Sequence, residues 1–228
     1  MVEITSKISD WILYKNNQLI AFNKPAGIPV QPDKTGGKSL LEFAEIYCKS
    51  NLHIIHRIDR PASGVLLLAK SKKCLAQLNA QFQQRTIQKT YLAVVKNAPK
   101  SNEATLTHYL RKNGKSNKSH VFDKPTKGAK EANLAYITIA QSDNYTLLRI
   151  DLQTGRHHQI RAQLAAIGSP IKGDVKYGAR RANKDRSIHL HAWKITFQHP
   201  VTLEKTTLTA PPPSETIWQV FNEMVDLE

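Results

Sequence analysis

The chain is poor in cysteine and in long apolar runs, and each shortage excludes a class of protein. Its 228 residues include two cysteines, Cys48 and Cys74, which lie far apart and have no CxxC partner. They indicate free thiols, neither a disulfide framework nor a structural zinc site. No stretch reaches the roughly 18 uninterrupted apolar residues that span a bilayer, and the opening MVEITSKISDWILYK lacks a signal-peptide run. The sequence therefore predicts a cytoplasmic protein with no membrane partner.

Several catalytic signatures are also missing. The chain has no GxSxG elbow for a serine hydrolase and no GxGxxG or GKS string for a nucleotide. His189 and His191 share one face of a predicted strand, and His53 and His56 have helical spacing, but the sequence places no third metal ligand near either pair. We therefore expect no metal, no nucleotide cofactor and no other cofactor.

Positive charge is what the chain has in excess. It carries 33 lysines and arginines against 18 acidic residues, a formal net charge of +15. Residues 51–120 alone hold 13 basic and 2 acidic residues. Such an excess attracts polyanions, so nucleic acid is the leading candidate partner, and a generally basic, soluble surface is the alternative.

The order of elements predicts one domain over residues 1–228, because no repeat or long linker interrupts it. A hairpin is predicted within 11–22, strands at 65–69, 87–96, 104–110, 132–140, 145–152 and 188–197, and helices at 39–49, 72–84, 157–167 and 215–225. Ser39 and Glu42 form the expected capping box of the first helix. Residues 111–130, with seven basic side chains among Gly, Ser and Asn, predict a mobile basic loop that faces RNA.

Asp59 is the best candidate for a catalytic side chain. It lies in HRIDRPASG, directly before the predicted buried strand, and is the only acidic residue between 46 and 102. A carboxylate among cations is expected to stay ionised, which suits nucleophilic attack better than proton donation. On residue types alone, the sequence favours the alternative, a structural salt bridge that holds the loop.

The string LQTGRHHQIR at 152–161 opens a helix from a glycine turn. Free amide groups and basic side chains meet at such a helix start, so it favours anions. Arg156 lies at the start, whereas Arg161 is a turn further on, where its planar guanidinium suits a carboxylate partner. An ordinary cationic helix start without a ligand is the alternative.

Three strings together resemble the RluA-type pseudouridine synthases: NKPAGIPV at 23–30, HRIDRPASGVLLLAK at 56–70 and LQTGRHHQIRAQLAAIGSPIKGDVKYG at 152–178. The resemblance implies an α+β fold with a mixed, mainly antiparallel β-sheet core and flanking helices. It also implies cofactor-free isomerisation of uridine to pseudouridine in structured ribosomal or transfer RNA. A catalytically silent RNA-binding or ribosome-assembly factor on the same fold is the alternative.

By position, the resemblance assigns roles to individual residues. Asp59 becomes the catalytic aspartate and Arg161 its ion-pair partner. Tyr91, in the further matching string KTYLAVV at 89–95, stacks on the target base and takes part in the proton transfer at carbon 5. Arg57 helps to displace the flipped nucleotide. The other predicted RNA-binding residues are Arg60, Arg156 and His158 in the motifs, and Lys112, Lys115 and Lys118 on the basic loop.

The chain departs from the family pattern at three places. Ala62 and His157 stand where threonine is usual, and Gln31 stands where histidine often follows valine. These positions bear on substrate contacts and leave the proposed nucleophile untouched. About ten residues precede the first predicted strand, too few for the S4 RNA-binding module of many relatives, so we expect a monomer whose catalytic domain recognises RNA by itself.

Overall fold

The computed structural model describes residues 7–33 and 36–227. Residues 34–35, in the turn-rich stretch predicted at 31–38, lie outside the described residues, as do residues 1–6 of the opening segment and residue 228. Within the described part, the chain forms eleven strands, four α-helices and two short 3-10 helices (Ile8–Trp11 and Val175–Tyr177). In chain order the main elements are β1 (Ile12–Lys15), β2 (Leu19–Lys24), α1 (Leu40–Cys48), β3 (His53–Ile54), β4 (Ser63–Ala69), α2 (Lys72–Gln83), β5 (Gln88–Val95), β6 (Glu103–Asn113), β7 (Lys118–Phe122), β8 (Lys130–Gln141), β9 (Thr146–Leu152), α3 (Gln159–Ala166), β10 (Leu190–Gln198), β11 (Lys205–Thr209) and α4 (Thr216–Val225).

Most predicted elements are confirmed within one to three residues. The Ser39 hydroxyl accepts a hydrogen bond from the Glu42 amide, and a Glu42 carboxylate oxygen accepts one from the Ser39 amide, so the capping box starts α1 as predicted. The α+β class with a mixed, mainly antiparallel sheet is confirmed as well. Strands β3, β7 and β11 were not predicted, because they are short or rich in polar residues.

The chain packs as two compact units. Among the described residues, the first comprises 7–33, 36–88, 191–215 and 227, and the second comprises 89–190 and 216–226. The single domain predicted over residues 1–228, from the absence of a linker, stays a prediction. A boundary at residues 88–89 lies inside β5, and each unit combines segments that are distant in the chain, so no stretch of linker composition marks the division.

In the first unit, β4 is the central strand. All seven of its residues are buried. It pairs antiparallel with β2 and β3 and parallel with β10, which pairs antiparallel with β11. Leu67, Leu78 of α2 and Phe197 of β10 belong to one apolar cluster beneath these strands. This continuous burial matches the apolar run from which the strand was predicted.

Gly64 lets β4 and β10 approach each other. It pairs with Ala192 in the parallel register and has a φ of +113°. A Cβ atom at this position would lie 2.2 Å from the Ala192 carbonyl oxygen. A side chain is therefore excluded both by the backbone conformation and by the neighbouring strand.

The second unit is built on antiparallel strands in the order β5, β9, β8, β6, β7. Helix α3 packs against β6 and β7, and α4 packs against β8. Leu110, Ala132 and Ala162 form a buried cluster between the sheet and α3, with Val121 and Tyr177 packed on it.

The structure corrects the predicted basic loop at 111–130. β6 continues to Asn113, β7 spans Lys118–Phe122, and Asn113 pairs with Lys118, so much of the segment is a β-hairpin. The Asn113 side-chain oxygen accepts hydrogen bonds from the amides of Lys115 and Ser116 in the turn. Polar composition suggested a loop, but backbone pairing and the packing of Val121 on the buried cluster hold the strands.

Replacing Gly64 by alanine should destabilise the first unit severely. The new methyl group has to displace backbone atoms of Ala192, and alanine disfavours the positive φ, so we expect a loss of about 3 kcal/mol or more in unfolding free energy. Denaturant unfolding measures the loss. Gly114→Ala is the control, since a Cβ there meets nothing within 4 Å. A Gly64→Ala protein as stable as that control would contradict the steric argument.

Candidate active site

Asp59 lies on the loop between β3 and β4 and is half-buried. Its backbone carbonyl accepts a hydrogen bond from the Ala62 amide over 3.1 Å, which closes a turn around Arg60 and Pro61. The turn leads directly into the buried β4, so a rigid strand fixes one end of the loop. The predicted catalytic carboxylate therefore stands on an ordered turn.

The ammonium group of Lys24 holds the residue that follows Asp59. Lys24 ends β2 and is fully buried. Its Nζ donates to the carbonyl oxygens of Pro25 (2.8 Å), Ile28 (2.9 Å) and Arg60 (3.3 Å). Three acceptors use the three donors of an ammonium group, so the side chain joins the 25–28 loop to the Asp59 loop.

Gly27 and Arg60 join the same two loops a second time. The Gly27 amide donates to the Arg60 carbonyl, and the Arg60 Nε donates to the Gly27 carbonyl, each over 2.8 Å. An Nη1 atom of Arg60 also lies 3.4 Å from a carboxylate oxygen of Asp33. Arg60, predicted to bind RNA, is exposed but also braces the loop.

Sequence reasoning gave Lys24 no role, although the NKPAG string contains it. Burial lowers the pKa of Lys24 to about 7; the Asp59 carboxylate opposes this shift, and Arg60 adds to it. Asp59 is thus close enough for its charge to act on the buried ammonium. The sequence feature that could have indicated a buried Lys24 is its position at the end of an apolar strand, just before a proline and a glycine.

Arg57 is exposed two residues before Asp59. Its Nη1 donates a long hydrogen bond of 3.4 Å to the side-chain oxygen of Gln31. Gln31 is one of the positions that depart from the family pattern, so this departure lies in contact with Arg57. The guanidinium otherwise meets solvent, as the predicted role in displacing a nucleotide requires.

The histidines considered as metal ligands have structural partners. Nε2 of His191 lies 2.9 Å from the Ala210 carbonyl and therefore carries the proton, while Nδ1 accepts from the Ser63 hydroxyl over 2.8 Å. Burial lowers the pKa of His191 to about 4. His189 lies 3.0 Å from the Asn183 amide and stacks on Trp218. Across residues 7–33 and 36–227, no group of three or more His, Cys, Asp or Glu could hold a metal ion.

In the second unit, Arg161 forms a buried ion pair that the sequence did not predict. It lies on α3 with 4% of its surface exposed. Its Nε and Nη2 donate to the two carboxylate oxygens of Asp174 over 2.7 and 2.9 Å. The resemblance named Asp59 as the partner of Arg161, and the structure adds Asp174. In the sequence, Asp174 lies in the GDVKYG end of the third string, to which the sequence analysis gave no role.

Tyr177 connects Arg161 to the start of α3. The Arg161 guanidinium lies 5.1 Å from the centre of the Tyr177 ring. The Tyr177 hydroxyl accepts from the Ser119 amide over 2.7 Å and lies 3.0 Å from Nδ1 of His158. Burial, reinforced by Arg161, lowers the pKa of His158 to about 2, so the ring is neutral. Nδ1 of this neutral ring accepts a hydrogen bond from the Tyr177 hydroxyl.

His157 and His158 stack with their ring centres 3.7 Å apart. His158 has a φ of 52° at the N-cap of α3. The Ser119 hydroxyl donates to the His157 carbonyl over 2.5 Å. The unusual residue at position 157 therefore supports the ring that binds Tyr177.

Tyr91 is buried on β5 and pairs with Ile150 of β9. One position earlier, the Thr90 hydroxyl donates to Asp151 over 2.9 Å. Burial also lowers the pKa of Lys89, whose Nζ lies 3.6 Å from the place that a Cβ on Gly155 would occupy. Lys89 therefore lies next to the TGR turn, and a Cβ at Gly155 would only be in ordinary van der Waals contact with it.

The remaining residues predicted to contact RNA differ in how much each one contacts the rest of the fold. The Nε of Arg156 donates to the Glu131 carbonyl over 2.8 Å. Lys112 and Lys115 are exposed on the hairpin, whereas Lys118 is half-buried with its ammonium 5.9 Å from the Tyr177 ring. The second unit thus brings Arg161, His158 and Lys118 together around Tyr177, and the first unit brings Asp59 to Lys24.

An α+β fold with a mixed, mainly antiparallel sheet is the architecture of the pseudouridylate synthases. The structure aligns with human RNA Pseudouridylate Synthase Domain Containing 4 at a TM-score of 0.77 and 24% identity, over 94% of this chain and 93% of that one. The corresponding human Domain Containing 1 protein gives a TM-score of 0.76, 21% identity and coverage of 91% and 85%. These likenesses establish the fold.

The chain belongs to the RNA pseudouridylate synthase family, RluA type, whose family model matches residues 18–166. It is 34% identical to an uncharacterized RNA pseudouridine synthase of Mycoplasma pneumoniae over 85% of this chain, and it spans 63% of that relative's length. It is 33% identical to a ribosomal large subunit pseudouridine synthase C of Vibrio vulnificus, with coverage of 90% and 67%. With a tRNA pseudouridine synthase C of Haemophilus ducreyi, identity is 34% and coverage 87% and 89%. The family predicted from the three strings is confirmed.

The contribution of Lys24 to stability should rise with pH. Its pKa is about 7 in the folded chain and about 10.5 in the unfolded chain, so between these values the unfolded chain binds more protons. The difference in unfolding free energy between the wild type and Lys24→Met should therefore increase from pH 7 to pH 10, by up to about 1.4 kcal/mol per unit. The same comparison with Lys205→Met, at an exposed site, should stay flat. A difference that falls with pH would contradict the lowering of the Lys24 pKa by burial.

Breaking the buried ion pair should be costly. Asp174→Asn leaves the Arg161 guanidinium without its carboxylate in a site that excludes water, so we expect about 3 kcal/mol less unfolding free energy. Chemical denaturation measures this. Asp123→Asn removes the same charge from a side chain that is 93% exposed and should change stability by less than about 0.5 kcal/mol. Equal losses in the two variants would remove the structural role of Asp174.

Proposed function

We propose that this protein isomerises uridine to pseudouridine in structured RNA, with Asp59 as the catalytic carboxylate. The observation that carries the proposal is the Asp59 loop: Lys24 and the Gly27–Arg60 pair brace it on one side, and β4 fixes it on the other. Family membership supplies the reaction. Relatives named for ribosomal and for transfer RNA support one of these as the substrate.

The target uridine has to leave its base stack before its glycosidic bond is accessible. Arg57 is exposed close to Asp59 in sequence and suits the task of occupying the space that the flipped base leaves. Tyr91 provides an aromatic ring on which the released base stacks. Both roles follow the family motifs at matching positions.

The chemistry needs no external reactant, because substrate and product have the same atoms. Asp59 either attacks carbon 1′ of the ribose or removes a ribose proton to give a glycal, and in both routes the bond to N1 of uracil breaks. The uracil rotates, and carbon 5 forms the new bond to carbon 1′. In the first route this step breaks the bond between Asp59 and carbon 1′, and in the second route Asp59 returns the proton to the ribose. The proton on carbon 5 then leaves, with Tyr91 proposed to take part in its transfer.

Arg161 is proposed as the ion-pair partner of Asp59, while Asp174 orients the arginine. A guanidinium whose Nε and Nη2 are fixed by one carboxylate presents its remaining donors in one direction. Arg60, Arg156, His158, Lys112, Lys115 and Lys118 are proposed as RNA contacts. Of these, Arg60, Lys112 and Lys115 are exposed, and the two lysines, which make no bond that braces the Asp59 loop, suit phosphate groups best.

Replacing Asp59 by asparagine tests the proposal. The variant keeps the size of the side chain and removes the negative oxygen, so it should fold and bind RNA but form pseudouridine at least about a thousandfold more slowly. Product is measured by incubating unmodified ribosomal and transfer RNA transcripts with each protein and mapping pseudouridine at single-nucleotide resolution.

Asp143→Asn is the matched control, because Asp143 is exposed in the turn between β8 and β9 and should keep full activity. Product formed by Asp59→Asn at the wild-type rate would reject the catalytic assignment. A wild-type protein that binds these RNAs but modifies none of them would instead identify a silent RNA-binding factor.

A further inference from the structure

The segment between the short helix at Val175–Tyr177 and β10 carries an unusual density of positive charge. Residues 178–187 read GARRANKDRS, and we call residues 180–186 the basic loop of the second unit. Arg180, Arg181, Lys184 and Arg186 are all exposed. None of the four makes an ion pair with any residue in 7–33 or 36–227.

The carboxylate within this loop does not neutralise it. One oxygen of Asp185 accepts hydrogen bonds from both the amide (3.0 Å) and the hydroxyl (2.7 Å) of Ser187. Asp185 therefore stabilises the end of the loop, and four cations remain close together in sequence. Their mutual repulsion is relieved when a polyanion supplies the opposite charge.

The loop is ordered because its middle is anchored. Asn183 accepts from the Lys172 ammonium over 2.7 Å and donates to the Ser187 carbonyl over 3.0 Å. Gly173 allows this approach, since a Cβ there would lie 2.6 Å from the Asn183 amide nitrogen. Its φ of +86° also favours glycine. An anchored loop pays little conformational entropy when it binds a partner.

The same anchor places the loop beside the ion pair of Arg161. The Ala179 amide donates to the Asp174 carbonyl over 3.0 Å, directly before Arg180. Asn183 is held by residues 172 and 173, which immediately precede Asp174. The backbone segment that fixes Arg161 thus also fixes both the start and the middle of the basic loop.

We propose that the basic loop at 180–186 is a second RNA-binding surface, whose arginines and lysine contact phosphate groups of the RNA that carries the target uridine. The inference rests on the proposed function for the identity of the polyanion. The hairpin at 111–130 differs, because Arg111 and Lys118 already contact the rings of Phe122 and Tyr177. In the basic loop, all four cationic groups remain available for phosphates.

The test removes three charges from the loop and three from elsewhere. The loop variant is Arg180→Gln, Arg181→Gln and Lys184→Gln together; Arg186 is left in place because its φ is 61°. The matched control is Lys15→Gln, Lys73→Gln and Lys205→Gln, three exposed lysines of the first unit. Binding to a pool of unmodified tRNA transcripts is titrated at several salt concentrations, and thermal unfolding checks the fold of each protein.

Each lost phosphate contact should reduce the slope of log K against log salt by about 0.7 to 0.9. We expect the loop variant to lose roughly 2 units of slope and to bind on the order of tenfold or more weakly at physiological salt. The control should change by less than half as much. Equal effects of the two triple variants would overturn the proposal. If the loop variant does not fold, Arg181→Gln alone should still lower the slope by about 0.7 to 0.9, and an unchanged slope would overturn the proposal.

Binding and product formation are read separately, so the two proposals fail in different ways. If the wild type forms pseudouridine and the loop variant keeps the full salt slope, the proposal for the loop is wrong and the proposed enzymatic function stands. If the wild type forms no pseudouridine and the loop variant loses salt slope, the proposed enzymatic function is wrong and the RNA-binding role of the loop is supported.

Discussion

The buried ammonium group of Lys24 is the interaction on which the Asp59 loop depends. It connects two loops that lie more than thirty residues apart in the sequence, through the carbonyls of Pro25, Ile28 and Arg60. Burying an ammonium is costly unless all its protons are bound, and here three carbonyl oxygens bind them. The nearby charge of Asp59 favours the protonated form. One side chain thus fixes the backbone of the loop and balances the charge of its carboxylate.

The second unit also buries a cationic group, the planar guanidinium of Arg161. Arg161 is buried, and a guanidinium cannot lose its charge, so it needs a carboxylate in the same dry environment. Asp174 supplies it with two parallel hydrogen bonds. Tyr177 then ties this pair to the neutral ring of His158 and to the hairpin through Ser119. Because each group satisfies its neighbour, the arrangement is rigid before any substrate binds.

The two positively charged regions of the second unit differ in what their charges do. On the hairpin, Arg111 and Lys118 lie against aromatic rings and contribute to packing. On the loop at 180–186, the backbone is anchored by Asn183, and the charged groups project into solvent. The count of charges along the sequence pointed to residues 111–130 and did not identify residues 180–186.

The sequence by itself determined the family, the α+β class, the apolar β4 strand and the capped α1 helix, because motifs, apolar periodicity and capping are local properties. It also singled out Asp59 as an isolated acid among cations. Only the tertiary structure decided that Lys24 bridges two loops, that Asp174 pairs with Arg161 and that residues 111–130 pair as strands. Each of these depends on contacts between residues distant in the chain, and the hydrogen bond or ion pair that fixes them has no local pattern.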